Sequence, residues 1–228
     1  MRRGVSALLG ALVLGVLGAA EPAHAASVLI DFDAVVAPPF FTGVAPGGSL
    51  GPILAFPDVI LDGGVILNES GWAGGATTNP NLYATANLFP LSDGSLLPGV
   101  ITGTFVGTVS SISLDMINGI SASLFTLTAF DASNVQLASM TVPLSNFSTA
   151  GFVAPASVAA GGIKKFTVTS AQTGLKDFAI DTLRFETESL QENVIPEPAT
   201  LLLMGFGGLG AWVRRRPRVR LTSHMGYV

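Results

Sequence analysis

From Val28 to Glu186 apolar residues return again and again at every second position, a rhythm that suits strands with one buried face and little else. In Ser111-Ile112-Ser113-Leu114-Asp115-Met116 each even-numbered residue is apolar. The run from Phe125 repeats the pattern through Leu127 and Ala129. The alternation predicts strands over Val28–Asp33, Val65–Glu69, Leu82–Ala86, Ile101–Val106, Val109–Met116, Leu124–Asp131, Val135–Val142, Lys164–Ser170 and Phe178–Glu186. Asp131 to Asn134 supplies turn residues, which makes the strands on either side a hairpin. No stretch in between carries a useful 3.6-residue period. Strands of this number and spacing predict an all-β domain over residues 26–190, a β-sandwich of jelly-roll-like arrangement.

Two segments break the rhythm. Val35 to Asp58 holds Pro38, Pro39, Pro46, Pro52 and Pro57 around the pair Phe40-Phe41, and it is expected to be a long surface loop, a lid or a loosely ordered arm. Gly71 to Pro80, with Trp72 and Asn79, has the same character.

Composition removes whole classes of chemistry. The chain has no cysteine, so disulfides, thiol nucleophiles and cysteine zinc sites are excluded. Its two histidines, His24 and His224, both fall outside 26–190, which excludes a histidine base or a histidine-held metal in the domain. Residues 26–195 carry thirteen acidic side chains against Lys164, Lys165, Lys176 and Arg184, a net charge of −9. So acidic a domain is no match for phosphate, and nucleic acid is not expected as a partner. Glu69, Glu186, Glu188 and Glu192 are scattered, and the three lysines sit in no serine–lysine motif, so no catalytic residue is assigned. Paired carboxylates need no histidine, and a secreted polysaccharide-acting enzyme stays open as the alternative function.

The charges that the domain lacks are at the two ends. Arg2-Arg3, the apolar run Val5 to Ala20 and then Ala23-His24-Ala25 have the three parts of a secretory signal peptide, residues 1–25, with small residues Ala23 and Ala25 before the cut made by signal peptidase. At the other end, residues 191–198 form a linker closing on Pro196-Glu197-Pro198. The apolar run 199–213 follows, then Arg214-Arg215-Arg216 within a basic tail, 214–228. Fifteen residues of helix reach about 22 Å, short of a hydrocarbon core of ~30 Å, and arginines at the end can snorkel to the interface. The prolines stop the last strand, and Pro198 suits the first turn of a helix. A short transmembrane helix with arginines beyond it puts the domain outside and the tail in the cytoplasm.

The ordered set of Pro196-Glu197-Pro198, Ala199-Thr200, a Leu/Gly-rich run and the arginine cluster resembles the PEP-CTERM sorting signal over about 25 residues. The resemblance implies export in a Gram-negative bacterium, a transient stay in the inner membrane, and processing by an exosortase, a membrane enzyme tied to exopolysaccharide and biofilm production. It implies a final place on the cell surface or in the extracellular matrix. More diffusely, Ile30-Asp31-Phe32-Asp33 and the stretch Phe178 to Phe185 are similar to the first and last strands of extracellular jelly-roll domains, carbohydrate-binding modules among them. A structural, adhesive or sugar-binding β domain is the corresponding expectation.

Two candidate sites follow. If the first and last strands pair, Asp31, Asp33 and Asp181 meet at one edge, where loop carbonyls would complete the oxygen shell of a structural Ca²⁺; the alternative is that all three face solvent. Trp72 and Tyr83 are the domain's aromatics with a polar handle. They are candidates for stacking on a sugar, with Asn68, Asn79 and Asn81 nearby for hydroxyls, unless both belong to the core.

Overall fold

The computed structural model describes residues Ala25–Glu188. Ala23 and the sorting motif with its expected span lie outside them; Ala25 is exposed. Among the described residues no helix is long and apolar enough to cross a membrane.

The domain is an all-β sandwich. Its strands are β1 (Ser27–Ile30), β2 (Ile53–Ala55), β3 (Val59–Asp62), β4 (Val65–Asn68), β5 (Asn81–Ala86), β6 (Val100–Asn118), β7 (Ser123–Phe130), β8 (Gln136–Leu144), β9 (Val153–Ser170) and β10 (Asp177–Thr187), with one 3-10 turn at Glu69–Trp72. Antiparallel pairing runs β4-β5-β10-β6-β9-β7-β8, with β1 beside β10 and the β2–β3 hairpin on β6. The expected hairpin is present: Asp131 Oδ1 accepts the N–H groups of Ser133 and Val135 at 2.8 Å each, and Asn134 takes the left-handed conformation of the turn.

Two long strands make the layers. The first half of β6 pairs with β3 and with the end of β9; its second half pairs with β10 and with the start of β9. Between the halves the β6–β9 register slips at Thr104/Val109 and again at Val109/Ser111. Such bulges bend a strand and increase its twist, and they let one strand serve both layers. The bend is fastened from the end of β10. Glu188 Oε1 accepts the N–H of Gly162 at 2.6 Å and Oε2 the hydroxyl of Thr108 at 2.7 Å, while the Glu188 N–H donates to Thr108 O. Lys164 Nζ donates to the carbonyls of Val106 and Gly107 at 2.5 and 3.3 Å.

The main core fills the space between the layers. Phe105 packs 5.8 Å from Phe166 and 4.9 Å from Phe185, and Phe125 of β7 meets Phe178 of β10 edge-on at 5.7 Å. A second apolar cluster lies on the opposite face of β4, β5 and the start of β10: Val65, Leu67, Leu82, Ala84, Ala86 and Ala179 are covered there by Phe41, Val44, Trp72, Leu91 and Leu97 from loops. These strands are therefore buried on both faces, and in Asn81–Ala86 every residue is inaccessible.

The segment expected as a loop from Val35 to Asp58 contributes β2, and β3 begins directly after it at Val59. Ile101–Val106 and Val109–Met116 are one strand, bent at Gly107-Thr108 and not interrupted there. The β9 strand starts eleven residues before the expected Lys164, at Val153. In contrast, β1 ends at Ile30, so Asp31 and Asp33 lie in a turn.

Glu188→Ala removes the carboxylate that spans both bends, leaving the Gly162 N–H and the Thr108 hydroxyl without it. We expect a loss of about 1–3 kcal/mol in urea unfolding of the isolated domain, with the m-value unchanged. An unaltered midpoint would mean that the bends hold without Glu188.

Candidate functional site

Asp31, Asp33 and Asp181 do converge, and the reason lies in β10. One edge of this strand pairs with β6; the other is shared by two short strands, β5 along Asp177–Ile180 and β1 along Leu183–Glu186. Between them, at Asp181-Thr182, backbone pairing lapses, and Thr182 sits at φ 52, unfavourable for a β-branched residue. Side chains close the gap. Fully buried Asp181 accepts the N–H groups of Thr77 and Thr78 at 2.7 and 2.8 Å, the hydroxyl of Thr78 at 2.9 Å and the N–H of Thr182 at 2.6 Å. The Thr77 hydroxyl lies 2.6 Å from Asp115 Oδ2 and 2.6 Å from Thr182 Oγ1. Asp33 Oδ1 accepts the Asn81 N–H at 2.8 Å, and Asp31 Oδ1 accepts the Asp33 N–H at 3.2 Å. Burial raises the Asp33 carboxyl above its ordinary value; the Asn81 N–H lowers it, and the charges of Asp31 and Asp181 push it up again.

Asp181 and Asp33 thus act as acceptors across long sequence separations, while Asp31 serves its own turn. Among the described residues no group of three His, Cys, Asp or Glu is placed to hold a metal ion. The strand-edge reading is corrected in one respect: Asp181 does not face solvent, because the Thr77-Thr78 loop lies over it.

Tyr83 belongs to the core. Its ring stacks on Phe32 at 5.7 Å, and its hydroxyl accepts the Gly64 N–H at 2.9 Å and donates to Pro52 O at 2.8 Å. With no exposed surface, it offers no face to a ligand. The amides proposed beside it are also engaged. Asn68 caps Ser70, the Asn79 amide donates to the Glu69 carboxylate, and Asn81 Nδ2 donates to Phe32 O and Val35 O.

Trp72 is placed differently. It is 4 % exposed and packs edge-on against Phe147 at 6.3 Å, yet it lines a cleft of about 340 Å³ with Phe40, Phe41, Phe89, Phe147 and Asp177. At the rim Phe40 is 63 % and Phe89 41 % exposed, and Phe89 stacks on Phe41 at 5.6 Å. Gly119 makes the close approach possible. A Cβ there would lie 2.7 Å from both Asp177 Cγ and Trp72 Cζ3, so only glycine lets both side chains pack this close to the backbone.

Asp177 is the residue that sequence reasoning missed. It is 6 % exposed, its backbone is held by Gln172 Oε1 and by the Gly119 N–H, and Oδ1 is buried with no hydrogen-bond partner. Burial alone pushes its carboxyl up to about 7. A carboxylate without donors, set among aromatic rings, is a costly group to keep, and such groups concentrate where ligands bind. Nothing in Leu175-Lys176-Asp177-Phe178 signals this; Asp177 stands at a strand start and reads as a turn residue.

The match to a known family is confined to the C-terminal end: residues 194–216 match the PEP-CTERM protein-sorting motif. The chain therefore carries that motif, which implies an exported precursor. No curated protein matches the chain. Among solved structures, the domain is similar to the cleaved K2 adhesin domain of Lys-gingipain (12% identity over 72% of this chain and 99% of that one, TM-score 0.42). It is also similar to a family 61 carbohydrate-binding module in complex with β-1,4-galactotriose (11%, 58% and 90%, TM-score 0.37). A third is the CBM22-1 xylan-binding domain from Paenibacillus barcinonensis (12%, 73% and 97%, TM-score 0.32).

The acid has a testable energetic signature. A carboxyl at about 7 in the folded chain, against 3.8 ordinarily, is held protonated by the native state, so its contribution to stability is full at low pH and is lost as pH rises toward 7. The loss is on the order of 4 kcal/mol at most. Asp177→Asn removes it, and we expect the variant to gain stability over the parent progressively between pH 4 and 8. Parallel melting curves across that range would place the Asp177 carboxyl at an ordinary value.

Proposed function

We propose that this chain is an exported surface or extracellular-matrix protein whose precursor is anchored in the inner membrane, is processed by an exosortase at Pro196-Glu197-Pro198, and carries a non-catalytic β domain that binds a saccharide of the exopolysaccharide. The sorting half of this reading rests on the composite motif at 194–216, where the triplet, the apolar run and Arg214-Arg215-Arg216 stand in order. The binding half rests on the cleft. Ring faces exposed at Phe40 and Phe89 are the kind of surface on which a pyranose stacks, and Thr42 and Asp177 supply polar groups at the same place.

The enzymatic alternative finds less support. Glycoside hydrolysis by the usual route needs two carboxyl groups across the scissile bond, and among the residues that line the cleft Asp177 is the one acid. The same exported, saccharide-binding role needs no second carboxyl.

The sorting half is tested in the native host. Proline disfavours helix at its own position and at the one before it, so Pro196-Glu197-Pro198 is a sequence suited to capture by a membrane-embedded processing enzyme. Replacing Pro196, Glu197 and Pro198 by alanine removes both prolines and the charge. The expected result is full-length protein retained in the inner membrane, whereas the parent loses its segment from about Ala199 onward. Identical fractionation, with the tail on both proteins, would reduce the motif to a plain anchor.

A further inference from the structure

The cleft's lining narrows its ligand further, provided that the saccharide reading above holds. Most sugar sites offer several donors and acceptors, each matched to a hydroxyl. Here the wall is Pro39, Phe40, Phe41, Trp72, Phe89 and Phe147, and the single ionisable group is Asp177. The residue is 6 % exposed, and its buried Oδ1 has no hydrogen-bond partner among the described residues. A neutral hydroxyl meets only part of that need. A positive charge meets all of it, and aromatic faces around a cation add their own attraction. We propose that the cleft takes an amino sugar bearing a free ammonium group, its charge against Asp177 and its ring against the aromatic wall.

The setting supports this choice. Burial is the cause of the raised Asp177 carboxyl. The lining residues from the Pro39–Thr42 segment, from Gly71-Trp72, from Phe89, from Gly119 and from Phe147 are all uncharged. Asp177 and Trp72 both lie against Gly119 and both line the cleft, so one ligand can engage both. Conversion of the amine to an acetamide would remove the charge and put a bulky group where the carboxyl needs a donor.

The test compares trisaccharides of glucosamine, N-acetylglucosamine and glucose, titrated into the exported protein at neutral pH and physiological salt. We expect the glucosamine form to bind at least tenfold more tightly than either neutral one. Asp177→Asn should abolish that preference, whereas Asp58→Asn, an exposed acid of the same domain, should preserve it. Gly119→Ala should weaken all three ligands by crowding Trp72 and Asp177, and circular dichroism of each variant separates this from unfolding. Equal binding of the three sugars would overturn the ammonium assignment and leave saccharide binding in place. Binding of none would sink the saccharide reading itself. A preference that survives Asp177→Asn and falls with Asp58→Asn would trace to the domain's overall negative charge, and the assignment to Asp177 would fail.

Discussion

A strand that pairs along both edges has to find partners for its whole length, and β10 does so with two short strands laid end to end. The join between β1 and β5 falls at Asp181-Thr182, where no backbone partner is available. An unpaired buried N–H there would be costly, so the Thr182 N–H donates to the Asp181 carboxylate, which also accepts the N–H groups of Thr77 and Thr78. The gap thereby becomes an anchor. The segment following the 3-10 turn Glu69–Trp72 is tied to the sheet at Thr77-Thr78, and Asn79 ties it back to Glu69. The position of Trp72, and with it one wall of the cleft, descends from a defect in strand pairing.

The loops fixed in this way do more than cover the sheet. They bury the outer faces of β4, β5 and the start of β10, so that the domain has a second core on one side only. Fully burying a side chain the size of Leu or Phe is worth about 1.5–3 kcal/mol, and Phe41, Trp72, Leu91 and Leu97 all contribute from loops. Loops held by such burial are stiff, and a stiff aromatic cleft binds without first having to order itself.

How much of this the sequence revealed depended on whether local pattern and local structure coincide. Strands with one face to water, such as Ser123–Phe130, alternate cleanly and could be read directly. The Val153–Gly162 half of β9 is mostly Ala and Gly around Pro155, residues with little strand preference; its pairing with β6 imposes the conformation. Gly107-Thr108 looks like a turn and is a bend, because a bulge and a turn use the same residue types. Ile53–Ala55 was masked by the prolines on either side of it. The role of Asp181 depends on Thr77 and Thr78, a hundred residues away, and no spacing rule connects them. Tyr83 and Trp72 have the same chemistry in the sequence; one is inside the sandwich and the other lines a cleft, and only the second loop layer separates the two outcomes.

Asp177 is where these constraints meet. It opens β10, so its backbone must pair with Ala86, and its side chain is carried under the loop layer whether or not that layer suits a charge. An asparagine at this position would satisfy the fold at least as well, since the buried carboxyl oxygen Oδ1 receives no hydrogen bond. Glycine at 119 is needed because a Cβ would meet the Asp177 carboxyl, its backbone carbonyl and the Trp72 ring. An acid kept at a cost to stability is the pattern of a binding site. The remaining loop residues around it, Phe40 and Phe89, expose ring faces that the fold had ample means to bury. What unites an unpaired acid, a permissive glycine and two uncovered rings in one cleft is a ligand with a flat apolar face and a positive charge.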